Sequence, residues 1–127
     1  AIASAKPSIG IKNFPNIHYV HCDMTSDSDV KNVVNIAVSK YGKLDIMYNN
    51  AGISGHSNRS ITTSDNEGFK KVFEVNVYGA FLGTKHASRV MIPAKRGVIL
   101  FTSSVASLLG GNDKLSVMKT GQCQCQQ

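Results

Sequence analysis

Leu44-Asp45-Ile46-Met47-Tyr48-Asn49-Asn50-Ala51-Gly52 passes from an apolar run into a turn of small and polar residues. Residues 44–49 are too few for a stable helix and are mostly apolar on both alternating faces, as strands buried in parallel sheets are. Asn50-Ala51-Gly52-Ile53-Ser54-Gly55 is turn material, followed by polar loop up to Ser64.

Upstream, the apolar positions Val30, Val33, Val34, Ala37, Val38 and Tyr41 form one helical stripe. Ser26 predicts an N-cap, with Asp29 at the third helical position, and Gly42 predicts a left-handed C-cap. Before that helix, residues 17–23 read as a β-rich strand, whereas residues 1–16, broken by Pro7, Gly10, Asn13 and Pro15, read as loop. Downstream, a long helix is predicted from about Asp65 to Met91, stopped by Pro93. Its stripe is Phe69, Phe73, Asn76, Val77, Ala80, Phe81, Thr84 and Ala87. A third strand follows over Val98–Ser103, and the pattern collapses after Ser107. The order strand, helix, strand, helix, strand implies an α/β chain built from parallel βαβ units.

Bulk properties narrow the classes. The 127 residues are 42% hydrophobic and 17% charged, an ordinary globular composition. The net charge of +6 is scattered, with Lys70–Lys71 and Lys95–Arg96 as the only doublets, which argues against specific nucleic-acid binding. Three cysteines, Cys22, Cys123 and Cys125, make no disulfide framework and point to a reducing compartment, with the cytoplasm expected. No His/Cys set completes a metal site. No run reaches the roughly twenty apolar residues that span a bilayer, and no signal peptide is visible. The chain starts without Met, which suggests a fragment or a processed chain.

In open parallel sheets ligands bind beyond the carboxyl ends of the strands. Cys22-Asp23-Met24, Asn49-Asn50-Ala51-Gly52 and Thr102-Ser103-Ser104 occupy those ends. Each offers short polar groups to a flat ligand, and each is equally the turn material that any strand end carries. Asn76 is less ordinary, because an amide on an apolar stripe must find partners or cost roughly 1–3 kcal/mol. A neighbouring backbone group or a water would satisfy it as well as a functional role would.

Together these residues resemble the short-chain dehydrogenase/reductase family. The run from Asp45 to Gly52 is similar to its D-x-x-x-N-N-A-G signature. Asp23 resembles the acid that meets the adenine amino group, Asn-Val-Tyr-Gly at 76–79 the helix-borne catalytic Asn, and residues 97–104 the strand ending in the catalytic Ser. The match covers about residues 17–109. The wording around residues 44–52 and 81–93 is closest to the plant branch of secoisolariciresinol, xanthoxin and borneol dehydrogenases, a branch of secondary metabolism.

The resemblance implies a partial Rossmann-type, doubly wound parallel sheet over residues 1–109, lacking its first two strands and its C-terminal part, with 110–127 a divergent, disordered tail. It implies hydride transfer between NAD or NADP, with NAD favoured, and a secondary alcohol or ketone. Ser104 and Asn76 would be the catalytic residues. Asp23, Met24, Asn50, Ala51 and Gly52 would line the cofactor. The family's Tyr-x-x-x-Lys pair should follow Ser104 by about thirteen residues, yet no tyrosine occurs after Tyr78. The glycine-rich pyrophosphate turn would belong before residue 1, and Gly79 and Gly83, in mid-helix, do not replace it.

A truncated, weakly stable chain that is inactive alone is therefore expected, its sheet order leaving the strand at 17–23 apart from the one at 44–49. The rival expectations are a non-catalytic protein that pairs with a full-length relative through the long helix, where Gly79 and Gly83 allow close approach, and an inert product of a damaged gene. A homo-oligomer through the long helix is also expected.

Overall fold

The computed structural model describes residues 2–4, 17–55 and 61–104. Nine elements follow in order: β1 (Ile2–Ser4), β2 (Tyr19–His21), α1 (Asp27–Tyr41), β3 (Ile46–Asn49), a 3-10 turn (Ile61–Thr63), α2 (Asn66–Phe73), a π turn (Glu74–Tyr78), α3 (Gly79–Ala94) and β4 (Val98–Phe101). The α/β, Rossmann-type reading holds. The tail at 110–127, with Cys123 and Cys125, lies outside the described residues.

α1 forms as its sequence predicts. The Ser26 Oγ accepts from the Asp29 N–H at 3.3 Å. The Asp29 carboxylate reaches back, its Oδ1 taking a bond from Ser26 Oγ and its Oδ2 one from the Asp23 N–H at 3.1 Å. The helix start is thereby tied to the end of β2. Gly42 closes the helix at φ 75°, donating its N–H to the Val38 carbonyl at 2.8 Å. Val30, Val34 and Ala37 are buried, as the stripe requires.

The long helix departs from expectation in three ways. It is interrupted by the π turn at Glu74–Tyr78. It continues past Pro93 to Ala94 and ends where Lys95 turns left-handed at φ 51°. A proline in the last turn removes only one helical bond, so the stop comes from Lys95 rather than Pro93. Finally, the expected stripe forms only part of the inner face: Ala87 is buried, and Phe73, Asn76, Ala80 and Thr84 are half-buried. Phe69, Val77 and Phe81 are exposed, whereas Val72, Gly79, Leu82, Gly83, His86, Ala87 and Met91 are buried. Both faces of this helix carry apolar residues, so periodicity alone set the stripe partly off the buried seam. The π turn, which adds a residue to one turn, also shifts the seam.

Two parallel strand pairs make up the sheets, β1 with β2 and β3 with β4. β1 corrects the reading of residues 1–16 as loop: Ile2 pairs with Tyr19, and Ser4 with His21. In the second pair Ile46 lies opposite Val98 and Asn49 opposite Phe101. Among the described residues the two pairs share no ladder hydrogen bonds, so β2 and β3 stand apart. α3 bridges them. It packs on α1, β3 and β4, and its Leu82 joins Cys22 and Val30 in the buried core.

Candidate functional site

The carboxyl ends of β2, β3 and β4 carry the candidate residues. After β2, the exposed Asp23 accepts two bonds on Oδ1, from the Thr25 N–H at 2.9 Å and the Thr25 hydroxyl at 2.8 Å. The backbone donor first, then the hydroxyl, holds the Asp23 carboxyl below its usual range. An ionised carboxylate at this turn suits an amino-group donor such as an adenine. Met24 is half-buried beside it.

After β3, Asn49 and Asn50 point in different directions, as neighbours on a strand do. Asn49 is buried, and neither of its amide atoms has a hydrogen-bond partner among the described residues. Asn50 is exposed and takes a bond on its Oδ1 from Thr102 Oγ1. Ala51 and Gly52 are exposed beside it. The Thr102 hydroxyl also contacts Tyr48 Oη at 2.9 Å, and the Thr102 N–H donates to the Asn49 carbonyl at 3.0 Å. The ends of β3 and β4 are therefore laced together two residues before the half-buried Ser104.

Asn76 sits within the π turn. Its Oδ1 accepts from the Ile53 N–H at 2.8 Å, and its Nδ2 donates to the Ile53 carbonyl at 3.0 Å. The amide is half-buried rather than sunk in an apolar seam. It nonetheless faces the turn after β3, and a Cβ added to Gly52 would lie 3.5 Å from its Oδ1. A single side chain thus clamps the backbone just past Asn50-Ala51-Gly52. Donors and acceptors at fixed positions beyond parallel strands can hold a flat, polar ligand and orient a reacting carbonyl.

Sequence reasoning missed several residues here. Ile53 was unremarkable because its backbone, not its side chain, is used. Thr102 and Tyr48 meet only through the β3–β4 register. Gly79 and Gly83 were read as a surface for a partner. They are buried instead, against Met24 and Asn49 of this same chain. The strand alternation that puts Asn49 on the face of Met47 was the one available signal for its burial.

The comparisons with known proteins agree with this geometry. The family model described as short chain dehydrogenase matches residues 3–116. Short chain aldehyde dehydrogenase 1 of Euphorbia lathyris is 68% identical over 88 residues, 69% of this chain and 31% of that protein. Secoisolariciresinol dehydrogenase of Forsythia intermedia is 52% identical over 76% of this chain and 35% of its own length. The chain therefore spans about a third of the length of these curated relatives. Among solved structures, ElxO with NADP bound superposes with a TM-score of 0.78 at 30% identity, covering 84% of this chain and 42% of that one. NAD+-bound xylitol dehydrogenase gives 0.75 at 33% identity, over 82% and 39%. With the family model matching residues 3–116, the chain belongs to the short chain dehydrogenase family.

Proposed function

We propose that this chain is the central part of an oxidoreductase that uses a nicotinamide cofactor to interconvert a secondary alcohol and a ketone. The observation that carries the reading is the pair of hydrogen bonds between Asn76 and the Ile53 backbone, beside a strand end that leads into Ser104. Relatives named as borneol and secoisolariciresinol dehydrogenases support an alcohol substrate.

When bound, the cofactor supplies the hydride donor or acceptor. The chain's own residues do the rest. Asp23 and Met24 hold one edge of the adenosine, and Asn50, Ala51 and Gly52 line the other, within residues 1–109 as the partial dinucleotide-binding domain. Their exposed carboxylate, amide and backbone suit such a ligand. The neighbouring folds bind NADP or NAD+; NAD is the cofactor proposed here. The Ser104 hydroxyl donates to the substrate oxygen, and Asn76 fixes the backbone and orders a proton path beside it. Residues 79–127 hold no counterpart of the family's tyrosine, and turnover by the chain alone is not expected.

No helix among the described residues is long and apolar enough to cross a membrane. A reducing compartment, the cytoplasm, is proposed from the odd cysteine count. A homo-oligomer is proposed through the outer face of α2 and α3. There Phe69, Phe73, Val77, Tyr78 and Phe81 line a shallow apolar depression that also holds Lys70 and Glu74, charges able to pair across a two-fold axis.

Calorimetric titration with NADH tests the reading, alongside a turnover assay with a secondary alcohol and NAD+. Saturable dinucleotide binding without turnover is expected. Absence of dinucleotide binding overturns it in favour of a non-catalytic partner protein or an inert product.

A further inference from the structure

Helix α3 meets two of the strand ends through glycines four residues apart, on one face. A Cβ on Gly79 would stand 3.1 Å from the Met24 carbonyl oxygen and 3.3 Å from Met24 Cβ. A Cβ on Gly83 would stand 2.0 Å from Asn49 Oδ1 and 2.8 Å from Met47 Cε. Both glycines are buried. Glycine inside a helix costs about 1 kcal/mol relative to alanine, so two of them in successive turns weaken α3 unless close approach is required. What they approach is specific. Gly79 lies on the turn that holds Asp23 and Met24. Gly83 lies on Asn49, immediately before Asn50, Ala51 and Gly52. One turn earlier on the same helical run, Asn76 grips Ile53, immediately after them.

We propose that Gly79 and Gly83 are positioning residues. With Asn76 they make the helix a ruler that sets the separation of the Asp23–Met24 turn from the Asn50–Gly52 turn, so that both meet one dinucleotide. The proposal rests on the reading that these turns bind the adenosine half of a nicotinamide cofactor. It adds what fixes their spacing, since among the described residues the two strand pairs share no ladder hydrogen bonds that could do so. Core packing alone would make the same glycines important, but a defect there would spread through the whole chain. A ruler predicts separate, local effects. A methyl at 79 displaces the β2 turn, where the Asp23 N–H bonds to Asp29. A methyl at 83 displaces the β3 turn, where the Ile53 N–H bonds to Asn76.

The test uses the full 127-residue chain, with residue-resolved amide hydrogen exchange and NADH titration of Gly79→Ala and Gly83→Ala. In Gly79→Ala the Asp23 amide should exchange about tenfold faster, and in Gly83→Ala the Ile53 amide, while α1 amides keep their protection. Each variant should weaken NADH binding about tenfold. Adding Asn49→Ala to Gly83→Ala removes the Oδ1 that the methyl meets, and should restore both Ile53 protection and affinity. Uniform acceleration across all amides, or no change at Asp23 and Ile53, overturns the proposal, as does a Gly83→Ala defect that Asn49→Ala leaves untouched. If the unsubstituted chain binds no NADH while the two local exchange effects appear, the oxidoreductase reading fails and the spacing role stands.

Discussion

Asn76 spends both hydrogen-bonding ends of its amide on one residue, the backbone of Ile53, at 2.8 and 3.0 Å. The pair joins a helix to a loop 23 residues earlier in the chain and closes a ring that no other residue type completes with the same geometry. Asp cannot donate to the Ile53 carbonyl, and Ala offers neither group. Asn76→Asp should therefore destabilise the chain more than Asn76→Ala, because it sets a carboxylate oxygen against a carbonyl. Losses of about 1–3 kcal/mol are expected, with Ala toward the low end because the site is half-exposed. Urea unfolding of the three proteins measures this, and equal midpoints would show the clamp to be dispensable.

The Ser26 cap is a second local test. Its Oγ satisfies the Asp29 N–H and also bonds the Asp29 carboxylate, which in turn holds the Asp23 N–H. Ser26→Ala should cost about 1 kcal/mol in urea unfolding, as lost N-caps do. It should also loosen the Asp23 turn, read as faster Asp23 amide exchange, whereas Ser39→Ala at the exposed far end of α1 should leave that amide unchanged.

These two cases show what was legible in the sequence. α1 was readable at both ends because caps are local chemistry: Ser26 and Gly42 act on residues within one turn of themselves. The alternation of strands and helices from β2 to β4 was readable from period and turn residues, whereas Ser104, Asn76, Asp23 and the Asn50–Gly52 turn were singled out by resemblance to the family's motifs, and their roles are proposals. The buried face of the long helical run from α2 to α3 was only partly readable, because Phe69, Val77 and Phe81 compete with Val72, Leu82 and Met91 for the inner side, and long-range packing decides between them. β1 was hidden for a similar reason. Three residues carry no period of their own, and only pairing with β2 makes them a strand.

Acid should weaken the fold in a defined window. Asp27, Asp29, Asp23 and Asp45 all have carboxyls held below the ordinary 3.8, Asp27 chiefly by bonds from Lys85 and His86. Each folded-state pKa is lower than its unfolded value, so between the two the unfolded chain binds more protons. The stability these groups contribute is present above about pH 4 and is lost as pH falls through the folded values. The urea midpoint should fall between pH 5 and about pH 2, and fall less in Asp27→Asn, which removes one of the titrating groups. An identical pH dependence in that variant would remove Asp27 from the account.

Cys22 should be chemically silent while the chain is folded. It is fully buried between β2, α1 and α3, and burial first, then the nearby Asp29 and Asp23 carboxylates, raises its pKa to about 11. At pH 8 roughly one thiol in a thousand is then ionised, and the thiolate is the reactive form. Iodoacetamide labelling mapped by mass spectrometry should leave Cys22 unmodified in buffer and modify it in urea. Rapid labelling of Cys22 in buffer would mean that the Cys22–Val30–Leu82 core opens readily.

The face of β3 and β4 turned away from α3 sets the last expectation. Ile46, Tyr48, Val98 and Leu100 lie on it in register, Ile46 opposite Val98 and Tyr48 opposite Leu100, and they are 61, 58, 53 and 46% exposed. Strands of parallel sheets are normally covered on both faces, and a contiguous apolar surface with an open strand edge favours association. The chain should therefore bind anilinonaphthalene sulfonate under native conditions and scatter more light as its concentration rises. Ile46→Thr with Val98→Thr should reduce both signals. The unfolding midpoint should barely move, because the replaced side chains contact solvent and thereby contribute little to the folded state, while threonine keeps the β-branched shape that strands favour. A large loss of stability in that double variant would mean the face is already covered within the chain, and a monomeric, dye-silent wild type with a sharp cooperative melt would mean the same.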